Sequence, residues 1–131
     1  MTVIALIFAG IAAVLHVFFW TLESLTWRQP STWKRFGLSS QDEADTTASL
    51  AYNQGYYNLF LAIGAVVGIA VVTSSESHDA IGWTLVVFAT ACMLGASLVL
   101  ISTGRAFAQA ALVQGGPALV AVVTGLLAAN G

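Results

Sequence analysis

Two ionisable side chains in the first apolar stretch of the sequence have the types and spacing that could do chemistry. His16 and Glu23 are seven residues apart. With Trp20 between them and Trp27 after them, the successive spacings are four, three and four residues. At about 100° per residue, the four side chains share one face of a helix. A carboxylate near an imidazole is suited to acid–base chemistry or to binding a cation. Both residues also have a purely structural interpretation. The Glu23 side chain can extend to the membrane interface, and His16 can form a hydrogen bond between helices.

A second polar group lies in the next apolar stretch. Asn53, Gln54, Tyr57 and Asn58 fall within one arc of a helix. Three carboxamides in six residues suit hydrogen bonding to a ligand or a lipid headgroup, although carboxamides also join helices to one another. Gln114 precedes a Gly-Gly-Pro run and could contact a ligand or satisfy backbone carbonyls that the proline frees. The residues that we expect to bind a ligand are His16, Trp20, Glu23, Asn53, Gln54, Tyr57, Asn58 and Gln114.

The sequence predicts neither a metal site nor a cofactor. His16, Glu23 and the single cysteine, Cys92, show no recognised metal-ligand spacing. With a net charge of -2 and 8% charged residues, the chain also lacks the basic surface of a nucleic-acid-binding protein.

The composition is that of an integral membrane protein. Of 131 residues, 58% are hydrophobic, and the mean hydropathy is +0.86. So few charges could not cover the surface of a soluble domain, which excludes a disordered chain and a typical soluble enzyme. Crossing about 30 Å of hydrocarbon takes roughly 20 apolar residues in a helix. Four stretches meet that length: 2–25, 48–72, 80–102 and 106–129. We therefore predict an all-α fold, a polytopic transmembrane four-helix bundle that forms a single domain over residues 1–131.

The first apolar stretch is predicted to be a retained helix rather than a cleaved signal peptide. It has no positively charged start, and its apolar run is longer than that of a signal peptide.

Positive charge predicts the orientation of the spans. Arg28, Lys34 and Arg35 fall in the loop 26–47, and Arg105 falls in the loop 103–105. Because Lys and Arg collect in cytoplasmic loops, both loops should be cytoplasmic and both termini outside. The second loop carries acids instead, including Glu76. With this orientation, the strongly polar side chains all lie in the cytoplasmic half. The sequence thus predicts a polar pocket that opens toward the cytoplasm.

Local signals mark the start of the second helix and the contacts between helices. Gly37 permits a turn, and Ser40 with Glu43 matches a capping box, so this helix should begin near Gln41. Small residues let helix backbones approach closely in a membrane, and an internal proline favours a kink. The residues predicted to serve helix packing are Gly64, Gly68, Gly95 and Pro117.

Three segments of the chain resemble a known protein family. They are HVFFWTLE at 16–23, NQGYYNLFLA at 53–62 and VQGGPA at 113–118; the third span matches only weakly, around Gly95. With these segments the chain is similar to the small four-span bacterial membrane proteins of the domain of unknown function 1304 family. The resemblance implies a four-helix bundle in the bacterial plasma (inner) membrane, and it implies no known reaction.

Three functions agree with these features. The first is the binding of a small polar or amphipathic molecule, with transport of that molecule as an extension of the same function. The second is a membrane enzyme that uses Glu23 and His16 as acid and base on a lipid-like substrate. The third is a non-catalytic subunit of a membrane complex, in which the polar residues join helices. Predicted partners are the lipid bilayer, a small-molecule ligand and a second copy of the chain, with no nucleic acid.

Overall fold

The computed structural model describes residues 1–74 and 79–131, so the predicted acidic loop residue Glu76 lies outside the described residues. In these two ranges all regular structure is helical and no strand occurs, which confirms the all-α prediction.

Four long helices account for most of the chain. Their apolar stretches are long enough to cross a membrane, and the protein is a multi-pass membrane protein. The helices are α1 (Thr2–Trp20, continued by a π-helical turn at Thr21–Leu25), α3 (Gln41–Ser74), α4 (Asp79–Ser102) and α5 (Ala108–Ala129). Short elements lie between them: α2 (Pro30–Trp33) and two 3-10 turns (Lys34–Phe36 and Arg105–Phe107).

The π-helical turn at the end of α1 corrects the regular α geometry assumed from the sequence. The Thr26 backbone N–H donates to the Thr21 carbonyl at 3.1 Å, five residues back instead of four. This wider turn rotates Glu23 and Trp27 away from the positions that uniform α spacing gives them. The predicted single face therefore does not continue unchanged from His16 to Trp27. Turns of this type often occur at functional sites in helices.

The start of α3 follows the prediction and has one additional hydrogen bond. The helix begins at Gln41, and the Ser40 hydroxyl accepts a hydrogen bond from the Glu43 N–H at 3.2 Å. The Glu43 carboxylate accepts from the N–H of Ser39 at 2.8 Å and also has a backbone hydrogen bond with Ser40, the position that a capping box requires. Gly37 ends the preceding 3-10 turn with a φ of 80°, a left-handed conformation that glycine adopts without strain.

The chain divides into two compact units, and the first comprises Met1–Leu15 and the described part of Leu61–Gly131. Segments of all four long helices pack in this unit around a core of mainly small side chains. The fully or almost fully buried residues of this core are Ala5, Ala9, Ala12, Ala13, Ala62, Ala65, Trp83, Val86, Ala89, Met93, Ala118 and Ala121. Many of its larger apolar side chains are instead exposed, as expected for helices surrounded by lipid.

The residues predicted to serve helix packing lie in this first unit and have different surroundings. A Cβ at Gly68 would lie 2.8 Å from the Val86 nitrogen, so α3 and α4 approach closely there. A Cβ at Gly64 would make an ordinary contact at 3.7 Å, whereas one at the exposed Gly95 would meet no described atom within 4 Å. Pro117 lies inside α5, which continues to Ala129; the predicted kink stays a prediction.

The second unit, His16–Phe60, contains the residues that form the candidate site. It holds the last residues of α1, the π-helical turn, α2 and the first twenty residues of α3. Pro30 occupies the first turn of α2, where its missing N–H costs no hydrogen bond. Thr32, Trp33 and Ala44 are buried in this unit.

Candidate functional site

The site is built around a hydrogen bond between Glu23 and Asn58. The Asn58 side-chain nitrogen Nδ2 donates to Glu23 Oε2 at 2.6 Å, although the residues are 35 positions apart. Asn58 is buried, and Glu23 is half-buried. Glu23 lies in the π-helical turn and Asn58 lies on α3, so this hydrogen bond connects the two elements.

A close backbone approach supports the same connection. The Ser24 hydroxyl donates to the Tyr52 carbonyl at 2.9 Å. A Cβ at Gly55 would lie 3.1 Å from both the Glu23 Cβ and the Ser24 nitrogen, and nearer still to the Ser24 hydroxyl oxygen. Glycine at position 55 is therefore what allows α3 to lie this close to the π-helical turn.

Trp27 is held in a fixed position beside this turn. Its indole Nε1 donates to the Ala44 carbonyl at 3.0 Å, with Thr47 Oγ1 at 3.3 Å. Its ring lies 4.9 Å from the Phe36 ring, centroid to centroid. Because the polar edge of the indole is bonded to α3, the ring has little freedom to turn.

An exposed ion pair joins the following loop to the start of α3. Arg28 Nε lies 3.3 Å from Asp45 Oδ1, and Gln41 Nε2 donates to the Arg28 carbonyl at 3.1 Å and to Asp45 Oδ1 at 3.3 Å. Asp45 thus partly offsets the positive charge of Arg28.

A cleft of about 520 Å³ lies beside these groups within the second unit. This volume is within the roughly 300–1,000 Å³ typical of small-molecule sites. The lining residues are Glu23, Ser24, Leu25, Trp27, Arg28, Ala48, Ser49, Tyr52 and Asn53. The cleft is therefore lined by one carboxyl group, one guanidinium group, two aromatic side chains and several side chains that can form hydrogen bonds.

Only some of the residues predicted to bind a ligand lie at this cleft. Glu23 and Asn53 line it. Asn58 does not line the cleft, but it donates a hydrogen bond to Glu23, which does. Gln54 and Tyr57 are exposed on α3 and are not among the lining residues.

The other three predicted residues lie elsewhere. His16 is fully buried, and its ring packs edge-on against Phe19 at a centroid distance of 5.4 Å. The Trp20 ring packs against Tyr56 at 6.1 Å, and its buried Nε1 has no hydrogen-bond partner within residues 1–74 and 79–131. Gln114 is half-buried on α5 and belongs to the first unit.

Sequence reasoning missed several residues of the cleft, namely Ser24, Arg28, Ser49 and Tyr52. One signal was available for Tyr52, because Tyr52, Tyr56 and Phe60 recur every four residues and their rings contact one another in tilted pairs along α3. The serines carried no comparable signal, since single serines are common in membrane helices.

No three His, Cys, Asp or Glu side chains are grouped as metal ligands in the part of the chain that the structure describes. Cys92 is a free thiol, half-buried on α4.

Comparison with known proteins adds one finding to this geometry. A family model described as "Protein of unknown function (DUF1304)" matches residues 10–126. The chain belongs to the DUF1304 family. This confirms the resemblance that the three sequence segments indicated. The Glu23–Asn58 pair and the whole cleft lie within the DUF1304 match. No curated protein and no solved structure matches the chain.

Proposed function

We propose that this DUF1304 protein binds a small polar or amphipathic molecule in the cleft, with Glu23 as its principal recognition group. The observation that carries the proposal is a half-buried carboxylate that lines a cleft of about 520 Å³ while a buried amide, Asn58, holds one of its oxygens. An ionisable side chain in a membrane helix is costly to keep there, and such residues commonly mark a substrate site.

The rest of the lining fits an amphipathic ligand. Ser49 and Asn53 offer hydrogen bonds, while Leu25 and the fixed ring of Trp27 offer apolar surface. Small-molecule sites combine a largely apolar wall with a few placed polar groups in this way. The remaining predicted ligand contacts stay predictions; they are His16, Trp20, Gln54, Tyr57 and Gln114.

We place this cleft at the cytoplasmic face of a bacterial plasma membrane, with both termini outside. The support is the distribution of charge, because every Lys and Arg falls between residues 28 and 35 or at 105. A cleft in this position is reached from the cytoplasm. The proposal extends to transport of the bound molecule across the membrane, and transport requires that the molecule binds first.

Native mass spectrometry of the gently solubilised protein tests the binding proposal. Ser49→Trp places an indole inside the cleft, whereas Leu50→Trp adds the same side chain at an exposed neighbouring position outside it. We expect a bound mass on the wild type and on Leu50→Trp, and its loss from Ser49→Trp. A bound mass that survives in Ser49→Trp, or wild-type protein that carries no ligand, contradicts the proposal.

A further inference from the structure

The acidic and the basic side chain of the cleft differ in their ionic partners. Among the lining residues, Glu23 carries the carboxyl group and Arg28 carries the guanidinium group. Arg28 is paired with Asp45 at 3.3 Å, so part of its charge is offset from outside the lining. Asp45 is thus the ionic partner of Arg28, whereas the Glu23 carboxyl group, which faces the cleft, has no ionic partner among the described residues.

The Glu23 carboxylate has one oxygen available to a ligand. Oε2 accepts the Asn58 amide, whereas Oε1 has no hydrogen-bond partner within the two described ranges. A carboxylate oxygen accepts hydrogen bonds only, so its complement is a donor. A cationic donor forms the stronger, charge-assisted bond.

Aromatic rings in the lining favour a cation as well. The rings of Trp27 and Tyr52 both line the cleft, and the hydrogen bonds from Trp27 to Ala44 and Thr47 fix its orientation. The face of an aromatic ring attracts a positively charged group, most strongly for tryptophan. Leu25 and Ala48 extend the lining with apolar surface suited to a hydrocarbon chain.

We infer that the cleft selects amphiphiles whose head is a protonated amine, with the ammonium donating to Glu23 Oε1 and the apolar chain lying along Leu25 and Trp27. The inference rests on the proposed function, because it names the class of ligand for that same cleft. An ammonium head occurs both on aminophospholipids and on free amphiphilic amines, and the test separates these two sources.

The experiment compares three amphiphiles of equal chain length on the intact protein in nanodiscs of phosphatidylcholine. Decylamine carries an ammonium, decanol is uncharged and decanoate is an anion; binding is followed through tryptophan fluorescence. We expect decylamine to bind at least about tenfold more tightly than decanol, since a hydrogen bond to a charged group contributes that much. Decanoate should bind more weakly still.

Two charge-removing variants assign the preference to Glu23. Glu23→Gln should remove the preference for decylamine, whereas Asp42→Asn, which removes the same charge from an exposed position outside the cleft, should keep it. Equal binding of decylamine and decanol to the wild type overturns the inference without depending on any variant. A preference that persists in Glu23→Gln also overturns it.

Two further arms complete the test. In nanodiscs that contain phosphatidylethanolamine, retention of that lipid in native mass spectra and weakened decylamine binding identify a lipid source; unchanged decylamine binding identifies a free amine.

If the three amphiphiles bind alike and Ser49→Trp abolishes their binding, the ammonium preference fails while the proposed function stands. If Ser49→Trp changes nothing, the proposed function fails as well.

Discussion

Glu23 Oε2 accepts a hydrogen bond from Asn58 Nδ2 at 2.6 Å, and this bond joins the π-helical turn after α1 to the buried face of α3. Two neighbouring features reinforce the junction: the Ser24 hydrogen bond to the Tyr52 carbonyl and the glycine at position 55. The carboxylate is thereby oriented by a buried partner while it still lines the cleft. Pre-orientation of this kind lowers the entropy cost of binding a ligand.

Loss of the Asn58 amide should destabilise the protein. Asn58→Leu keeps a similar volume but leaves Glu23 without its hydrogen bond, so we expect the free energy of unfolding to fall by about 0.5–2 kcal/mol. The measurement is denaturant unfolding in mixed micelles. The control is Asn53→Leu, since Asn53 is exposed and lines the cleft, and its effect on stability should stay within about 0.5 kcal/mol. Equal stability of the two variants would show that the Glu23–Asn58 bond contributes nothing.

A methyl group at position 55 should separate the π-helical turn from α3. Gly55→Ala places a Cβ against the Ser24 hydroxyl and 3.1 Å from the Ser24 nitrogen, so we expect a loss of about 1–3 kcal/mol of stability. Ser24→Ala removes the nearer of these atoms, and the double variant should be less destabilised than the sum of the two single variants. Strict additivity in this double-mutant cycle would mean that the two residues are not in contact.

The glycines of α3 and α4 provide an independent test of the first unit. Gly68→Ala places a Cβ 2.8 Å from the Val86 nitrogen and 2.9 Å from the Gly82 carbonyl oxygen, and backbone atoms cannot move aside easily. We expect a loss of about 1–3 kcal/mol in thermal or denaturant unfolding. Gly95→Ala meets no described atom within 4 Å, and alanine favours helices, so stability should stay the same or rise by up to about 1 kcal/mol. A Gly95→Ala variant as unstable as Gly68→Ala would contradict the packing of α3 against α4.

Cysteine labelling in intact cells tests the proposed orientation. In a Cys92→Ser background, Ser31→Cys probes the loop before α3 and Ser74→Cys probes the opposite end of α3, and both positions are exposed. With a membrane-impermeant maleimide, Ser74→Cys should be labelled from outside and Ser31→Cys only after lysis. The reverse pattern would place the cleft on the outer face.

The sequence predicted the helices well because their signals are local and repeated. Long apolar runs fix the four spanning helices, and Ser40 with Gly37 marks where α3 begins. The family was also predictable, because the three matching segments are short and contiguous. None of these features depends on how distant parts of the chain meet.

The site was predicted less completely because it depends on contacts over long sequence distances. Uniform helical spacing placed Glu23 on one face with His16, whereas the π-helical turn and the partner on α3, 35 residues away, decide where the carboxylate lies. The same limit applies to the choice between Tyr56 and Tyr57 as a site residue. Regular spacing favoured Tyr57, but the structure places Tyr56 against Trp20 and leaves Tyr57 exposed. Single serines such as Ser24 and Ser49 become visible only through the atoms that surround them.

The most direct test of the central claim is photo-crosslinking from within the cleft. A photoreactive benzoylphenylalanine would replace Tyr52, which lines the cleft and is 51% exposed, or Tyr57, which lies outside the lining and is 63% exposed. After irradiation in intact membranes, mass spectrometry of the purified protein would identify the covalent adducts. We predict one discrete small-molecule adduct from position 52 that is missing from position 57 and is lost when Ser49→Trp fills the cleft. The same mixture of bulk-lipid adducts from both positions would contradict a ligand site at Glu23.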